Sequence, residues 1–113
     1  MNVKIIAGLL SLTATLALSS VASAADADAA QALAKKEGCL KCHAVDKRKE
    51  AVSLKEIAKK YAGKPDAEAK VLQQINAGEK VKLDDGTEEN HKIIKTKDKA
   101  ELDNLVGWIL SLK

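Results

Sequence analysis

Two cysteines and one histidine form the densest group of reactive side chains in this 113-residue sequence. In the run Cys39-Leu40-Lys41-Cys42-His43, two residues separate the thiols and an imidazole directly follows the second thiol. Each thiol of such a pair can form a thioether with one vinyl group of a haem, and the histidine can then bind the iron. The spacing therefore predicts one covalently attached haem c, held by Cys39 and Cys42, with His43 as the proximal axial ligand.

Three other uses of the paired thiols are less compatible with this chain. A thioredoxin-like redox pair has the same spacing, but it requires alternating strands and helices, and the sequence predicts helices alone. A zinc ion could recruit the two cysteines together with His43 and His91. Because Cys42 and His43 are adjacent, however, they are poorly placed for one tetrahedral ion. A disulfide between the cysteines would close too small a loop to brace a domain.

The N-terminal segment has the features of a secretory signal peptide. Lys4 supplies the positive charge, an apolar stretch covers residues 5–18, and Ala22 and Ala24 occupy the positions that a signal peptidase reads. The apolar stretch is too short and too weakly flanked for a membrane span. We therefore predict a signal peptide over residues 1–24, export to the periplasm and a mature chain without a membrane span. An uncleaved membrane anchor is the alternative.

The composition of the mature chain, residues 25–113, bounds its architecture and its partners. About 90 residues suffice for one domain. Since Lys4 is the only charged residue before position 25, the formal net charge of the mature chain is +2, which does not suggest a nucleic-acid binder. One Trp, one Tyr and no Phe leave a domain of this size short of large apolar side chains. A porphyrin would supply the missing apolar surface.

Helix signals dominate the mature chain. Periodic apolar residues and capping patterns predict four helices, over residues 27–41, 53–63, 65–78 and 97–112. The first would deliver the cysteines at its C-terminal end, and Ser53 followed by Glu56 is a capping box. Residues 79–95 lack a sustained period and predict a long loop, which is usually functional in a compact domain. Gly107 costs about 1 kcal/mol inside the last helix, so we expect a close helix crossing there.

The haem motif, the segment over residues 54–63 and a C-terminal helix with Trp108 resemble the class I cytochromes c, particularly the small bacterial c551 and c5 types. The resemblance implies an all-α fold of four or so helices, in which the first and last helices cross around one haem with an exposed edge. It also implies a single-electron carrier, not an enzyme, acting between redox proteins that donate and accept electrons.

The sequence departs from this family at both axial positions. The family usually has a Gly-Pro pair whose proline carbonyl orients the proximal imidazole, and the corresponding stretch here is Glu50-Ala51-Val52-Ser53. The family also places an axial Met before the last helix, but the only Met of this chain is Met1, within the predicted signal peptide. A methionine ligand is therefore excluded in the mature protein.

His91 is the predicted replacement for the missing methionine. It lies in the long loop, about where the family methionine is expected, and it is the only histidine besides His43. A lone histidine among acidic loop residues is more often simply exposed, but the absent methionine favours His91 as the distal ligand. Asn90 and Lys92 are weaker candidates, and a five-coordinate iron is the remaining alternative.

Two imidazole ligands would give a lower reduction potential than a Met ligand, which raises the potential of cytochromes c. Basic residues around the haem motif and after His91 favour transient, salt-sensitive docking of a monomer with acidic redox partners, with a solvated basic surface as the alternative.

A different function follows if His91 is displaceable: the protein would then be a haem sensor or a gas-binding protein. Carbon monoxide binding to the reduced protein separates these cases.

Overall fold

The computed structural model describes residues 25–113, so the predicted signal peptide lies outside the described residues. The described chain forms four α-helices, a short 3-10 helix and one hairpin of two strands. The elements are α1 (Ala27–Lys36), the 3-10 helix (Cys39–Lys41), α2 (Leu54–Tyr61), α3 (Ala67–Ala77), β1 (Lys80–Lys82), β2 (Glu88–Asn90) and α4 (Lys99–Ser111). Within residues 25–113, no helix is long and apolar enough to cross a membrane. The predicted all-α fold is confirmed.

Helix α4 lies at the centre of the packing and contacts α1, α2 and α3. Leu105 and Val106 of α4 are fully buried, and Trp108 is almost so. The main apolar cluster joins the first and last helices and consists of Ala30, Leu33, Ala34, Leu54, Ile94, Leu102, Leu105, Trp108 and Ile109. The predicted contact between the first and last helices is therefore observed.

Local capping fixes the helix that follows the haem motif. Ser53 Oγ accepts from the Glu56 N–H at 3.1 Å, and a Glu56 carboxylate oxygen accepts from the Ser53 N–H at 2.8 Å. This reciprocal pair is the predicted capping box. It satisfies two backbone donors at the start of α2 and thereby fixes the residues directly before it.

The first and last helices are shorter than the sequence predicts. Helix α1 ends at Lys36, and Gly38 has a φ of 80°, a left-handed conformation that an α-helix cannot continue through. The cysteines therefore lie on a separate 3-10 turn, not at the end of α1. Helix α4 begins at Lys99 because the side chain of Asp98 accepts from the Glu101 N–H as its N-cap.

A hairpin occupies the middle of the segment predicted as a long loop. Its two strands pair antiparallel, with Lys80 opposite Asn90 and Lys82 opposite Glu88. Nearly all of its residues are exposed, so no alternation of apolar and polar side chains marks the strands in the sequence. The close crossing predicted at Gly107 is wrong, because among the described residues an added Cβ would meet only Ala25 Cβ at an ordinary 3.7 Å.

Candidate haem-binding site

The 3-10 helix presents the two cysteines one turn apart. Both are free thiols and both are half-buried. The carbonyl of Cys39 accepts from the N–H groups of Cys42 and His43, at 3.4 and 3.1 Å. Gly38 permits the sharp entry into this turn, and a Cβ there would also lie 2.7 Å from Lys92 Nζ. The sequence motif is thus a compact turn that offers both thiols to one neighbour.

Both thiols are held in their protonated form at neutral pH. Burial raises the pKa of Cys39. Burial also raises the pKa of Cys42, and a 3.5 Å hydrogen bond to the Glu50 carboxylate raises it further. Protonated thiols are poor nucleophiles and poor metal ligands. This environment does not favour the redox and zinc alternatives for the pair.

The imidazole of His43 is oriented by a backbone carbonyl. Its Nδ1 lies 2.6 Å from the carbonyl oxygen of Val52, in a partly buried position. Because a carbonyl can only accept, Nδ1 carries the proton and Nε2 is left as the metal-binding nitrogen. Val52 occupies the stretch that replaces the family's Gly-Pro pair, and the capping Ser53 follows it directly. The sequence could not identify this carbonyl, since every residue has one.

His91 is half-buried and follows β2 directly. Its N–H donates to the Glu79 carbonyl at 2.8 Å, and its Nδ1 donates to the Lys92 carbonyl at 2.9 Å. Burial lowers the pKa of His91, although the hydrogen bond to Lys92 acts in the opposite direction. His91 is therefore a neutral imidazole at neutral pH, again with Nε2 available to a metal. Lys92 and Asn90, the weaker candidates, are both exposed.

The structure brings His43 and His91 together from positions 48 residues apart in the sequence. Their ring centres are 6.2 Å apart, and the ring planes make an angle of 40°. A nitrogen of a five-membered ring with bonds of about 1.33 Å lies roughly 1.1 Å from its centre. With metal–nitrogen bonds of about 2.0–2.1 Å, two imidazoles that bind one metal from opposite sides place their centres roughly 6.2–6.4 Å apart. The observed spacing fits one iron between the two rings.

Comparisons with known proteins identify the family and the fold of this chain. The sequence model described as "Cytochrome c" matches residues 27–113. Over 83 residues, the chain is 39% identical to cytochrome c2 of Rhodocyclus tenuis, covering 73% of this chain and 90% of that protein. It is 41% identical over 70 residues to cytochrome c-551 of Pseudomonas aeruginosa, which covers 62% of this chain but only 65% of that protein.

Two solved structures have the same fold. The class 1 cytochrome MtoD from Sideroxydans lithotrophicus ES-1 superposes with a TM-score of 0.76 and 52% identity, covering 79% of this chain and 98% of that chain. Cytochrome c552 of Nitrosomonas europaea superposes with a TM-score of 0.59 and 32% identity, covering 74% and 99%. In both cases nearly the whole of the solved chain is matched.

Proposed function

Because this chain belongs to the cytochrome c family, we propose that it is a periplasmic cytochrome that carries single electrons between redox proteins. The family carries one covalently attached haem c, and Cys39, Cys42 and His43 fit its attachment motif. We further propose that His43 and His91 are the two axial ligands of the iron. The 6.2 Å separation of their rings is the observation that supports this ligation most directly.

A covalently held haem supplies an iron that changes between ferric and ferrous states by one electron. The residues of this chain attach the haem and orient the ligands. The carbonyls of Val52 and Lys92 each accept from an Nδ1–H, which fixes the tautomer and the orientation of one imidazole. Both imidazoles then carry their proton on Nδ1, so that the unprotonated Nε2 can bind the metal. Rings fixed in this way in both redox states favour fast electron transfer.

The ligand pair predicts the direction of the reduction potential. A Met ligand raises the potential of a cytochrome c, and its replacement by His91 lowers it. The Glu50 carboxylate, 3.5 Å from Cys42 Sγ, adds negative charge beside the attachment site and favours the ferric state further, although solvent screens this effect. We therefore expect a potential below that of family members with a methionine ligand.

Exposed basic side chains flank both histidine-bearing segments in the sequence. They are Lys35, Lys36, Lys41, Lys47, Arg48, Lys49, Lys92, Lys95, Lys97 and Lys99. Such a surface can steer an acidic partner towards a nearby redox centre and release it quickly. We propose that the protein acts as a monomer in transient complexes whose formation slows as salt is added.

A redox titration of the exported haem protein, followed by visible absorption, tests this proposal. We expect one reversible one-electron transition and a mature chain that begins at Ala25. His91→Met should raise the potential, whereas Lys92→Gln should leave the low-spin spectrum unchanged. The absence of a reversible one-electron step would contradict the carrier function. An unchanged potential in His91→Met would contradict ligation by His91.

The gas-binding alternative has less support. It requires His91 to leave the iron readily, whereas two backbone hydrogen bonds hold this residue in place. If the reduced wild-type protein binds carbon monoxide as fast as His91→Ala does, the distal side is open and the gas-binding function is favoured. Much slower binding in the wild-type protein supports the electron carrier.

A further inference from the structure

Arg48 joins the chain segments that carry the two axial histidines. Its Nε donates to Glu56 Oε1 at 2.9 Å, and its Nη1 donates to Asp84 Oδ1 at 2.8 Å. Glu56 lies in the first turn of α2, whereas Asp84 lies in the turn between β1 and β2. Because a guanidinium is planar and presents several donors, one side chain can hold two carboxylates in a fixed relation.

On the proximal side, the ion pair between Arg48 and Glu56 lies next to Val52, whose carbonyl accepts from the His43 ring. Glu56 also accepts from the Ser53 N–H at 2.8 Å, and Ser53 directly follows Val52. Arg48 itself forms an isolated antiparallel bridge with His43 through the backbone. Arg48 is therefore part of the loop that orients the proximal imidazole.

On the distal side, Asp84 belongs to the hairpin whose second strand ends at Asn90, immediately before His91. The Asp84 N–H donates to the Glu50 carbonyl at 3.0 Å, which brings the hairpin turn against the loop of Arg48. Every residue of β2 is exposed, so apolar packing contributes little to the position of this strand. Hydrogen bonds and the ion pair with Arg48 therefore hold the turn.

We propose that Arg48 is a positioning residue for the distal ligand, because it holds the hairpin so that His91 stays on the iron. This inference rests on the proposed ligation by His43 and His91. Arg48 thereby sets how often the distal side of the iron opens to an external ligand. Both of its ion pairs have exposed partners, so dissolved salt weakens them. Opening of the distal side should consequently depend on salt.

The rate of carbon monoxide binding to the reduced haem protein measures this opening. Carbon monoxide is uncharged, so a change in protein charge does not alter its approach, and the fraction of protein with His91 detached limits its binding. We expect Arg48→Gln to raise the rate about two- to five-fold at low salt, as for an exposed ion pair. Asp84→Asn should also raise the rate, and adding it to Arg48→Gln should change nothing further, since Arg48→Gln already removes the contact between Arg48 and Asp84.

A matched control and a salt series make the test specific. Lys47→Gln removes a neighbouring exposed positive charge and should leave the rate at the wild-type value. Raising NaCl from about 10 mM to about 0.5 M shortens the Debye length several-fold. It should raise the wild-type rate towards that of Arg48→Gln and leave the variant unchanged. Equal rates for Arg48→Gln and Lys47→Gln, or a wild-type rate independent of salt, would overturn the role of Arg48.

His91→Ala distinguishes the failure of this inference from the failure of the proposed ligation. If His91→Ala leaves the carbon monoxide rate unchanged, His91 is not the distal ligand, and both proposals fail. If His91→Ala raises the rate strongly while Arg48→Gln does not, the ligation stands and only the positioning role of Arg48 is overturned.

Discussion

The two histidine-bearing segments reach the same site by different physical means. His43 lies within a short, partly buried loop, and its ring is held at 2.6 Å by the carbonyl of Val52, a residue fixed by the adjacent capping box. His91 follows an exposed hairpin, and its ring is held at 2.9 Å by its own neighbour, Lys92. The His43 segment is thus supported by a capped, partly buried loop, whereas the His91 segment directly follows exposed strands.

Under the proposed ligation, this difference predicts that the His91 side of the iron is the side that can change. A proximal imidazole adjacent to a covalently attached cysteine cannot move far from the haem. His91, the proposed distal ligand, is held by the 2.8 Å hydrogen bond from its backbone N–H to the Glu79 carbonyl and, in the proposed role of Arg48, by the contact of Arg48 with the hairpin turn. Variants on the proximal side should therefore affect haem attachment and folding, and variants on the distal side should affect spin state and ligand access.

The largest expected effect is the loss of covalently attached haem, which is distinct from the loss of the distal ligand. Changing both Cys39 and Cys42 to Ala removes the two thiols that form the thioethers, so no haem should remain attached after denaturation. His91→Ala should retain the full covalently bound haem, because it alters only the distal side. Intact-protein mass and haem staining on denaturing gels measure both outcomes. Lys41→Gln, between the two cysteines, is the control that should keep its haem, and haem loss in His91→Ala would contradict the division of roles.

Two glycines with similar backbone conformations offer a sharper comparison. Gly63 and Gly78 have φ values of 73° and 65°, so alanine costs about 1–2 kcal/mol of backbone strain at either position. A Cβ at Gly63 meets nothing within 4 Å, whereas one at Gly78 would lie 2.8 Å from Ile93 Cγ1 and 3.3 Å from the His91 carbonyl oxygen. Gly78→Ala should therefore also displace the distal segment.

We expect Gly63→Ala to lower the free energy of unfolding while leaving the carbon monoxide rate unchanged. Gly78→Ala should lower it further and should speed carbon monoxide binding. Denaturant unfolding and flash photolysis of the reduced protein provide the two measurements. Similar carbon monoxide rates in the two variants would show instead that the distal segment tolerates the added methyl group without releasing His91.

The smallest expected effect concerns the pH dependence of the proximal side. The hydrogen bond from the Ser53 N–H and the contact with Arg48 hold the pKa of Glu56 below its ordinary value of 4.5. Since the unfolded chain binds this proton first, the stabilisation by Glu56 is complete above pH 4.5 and is lost as pH falls through the folded-state pKa. The stability difference between wild type and Glu56→Gln should therefore shrink on acidification.

Denaturant unfolding at pH 7 and at about pH 3 measures this difference, which acid protonation of Glu56 reduces. Glu88→Gln removes an exposed carboxylate from β2 without touching the capping box. It should change the stability less at pH 7. A difference for Glu56→Gln that stays constant between the two pH values would contradict the assigned pKa direction.

Local signals in the sequence predict the helices well. The hairpin that the sequence does not predict is formed by contacts between residues far apart in the chain. The start of α2 is confirmed because Ser53 and Glu56 form a capping box within one turn. The hairpin is not predictable, since it depends on pairs such as Glu50 with Asp84 and Glu79 with His91, which only the fold brings together. Because its strands are exposed, the sequence shows no alternation of apolar and polar residues there.

The residues of the candidate site likewise include some that the sequence predicts and some that it does not. The roles of Cys39, Cys42 and His43 can be predicted from the fixed spacing that a haem requires, and the predicted role of His91 follows from the absence of any methionine besides Met1. These roles stay predictions until they are measured. The carbonyl of Val52 and the double contact of Arg48 could not be found, because neither a carbonyl nor a charge in a sequence specifies its partner.

The visible absorption spectrum of the mature haem protein, recorded oxidised and then reduced, tests ligation by both histidines most directly. We predict low-spin bands in both states for the wild-type protein and high-spin bands for His91→Ala. High-spin bands in either state of the wild-type protein would contradict ligation by both histidines. A low-spin spectrum that survives His91→Ala would contradict it equally, because another group would then be the distal ligand.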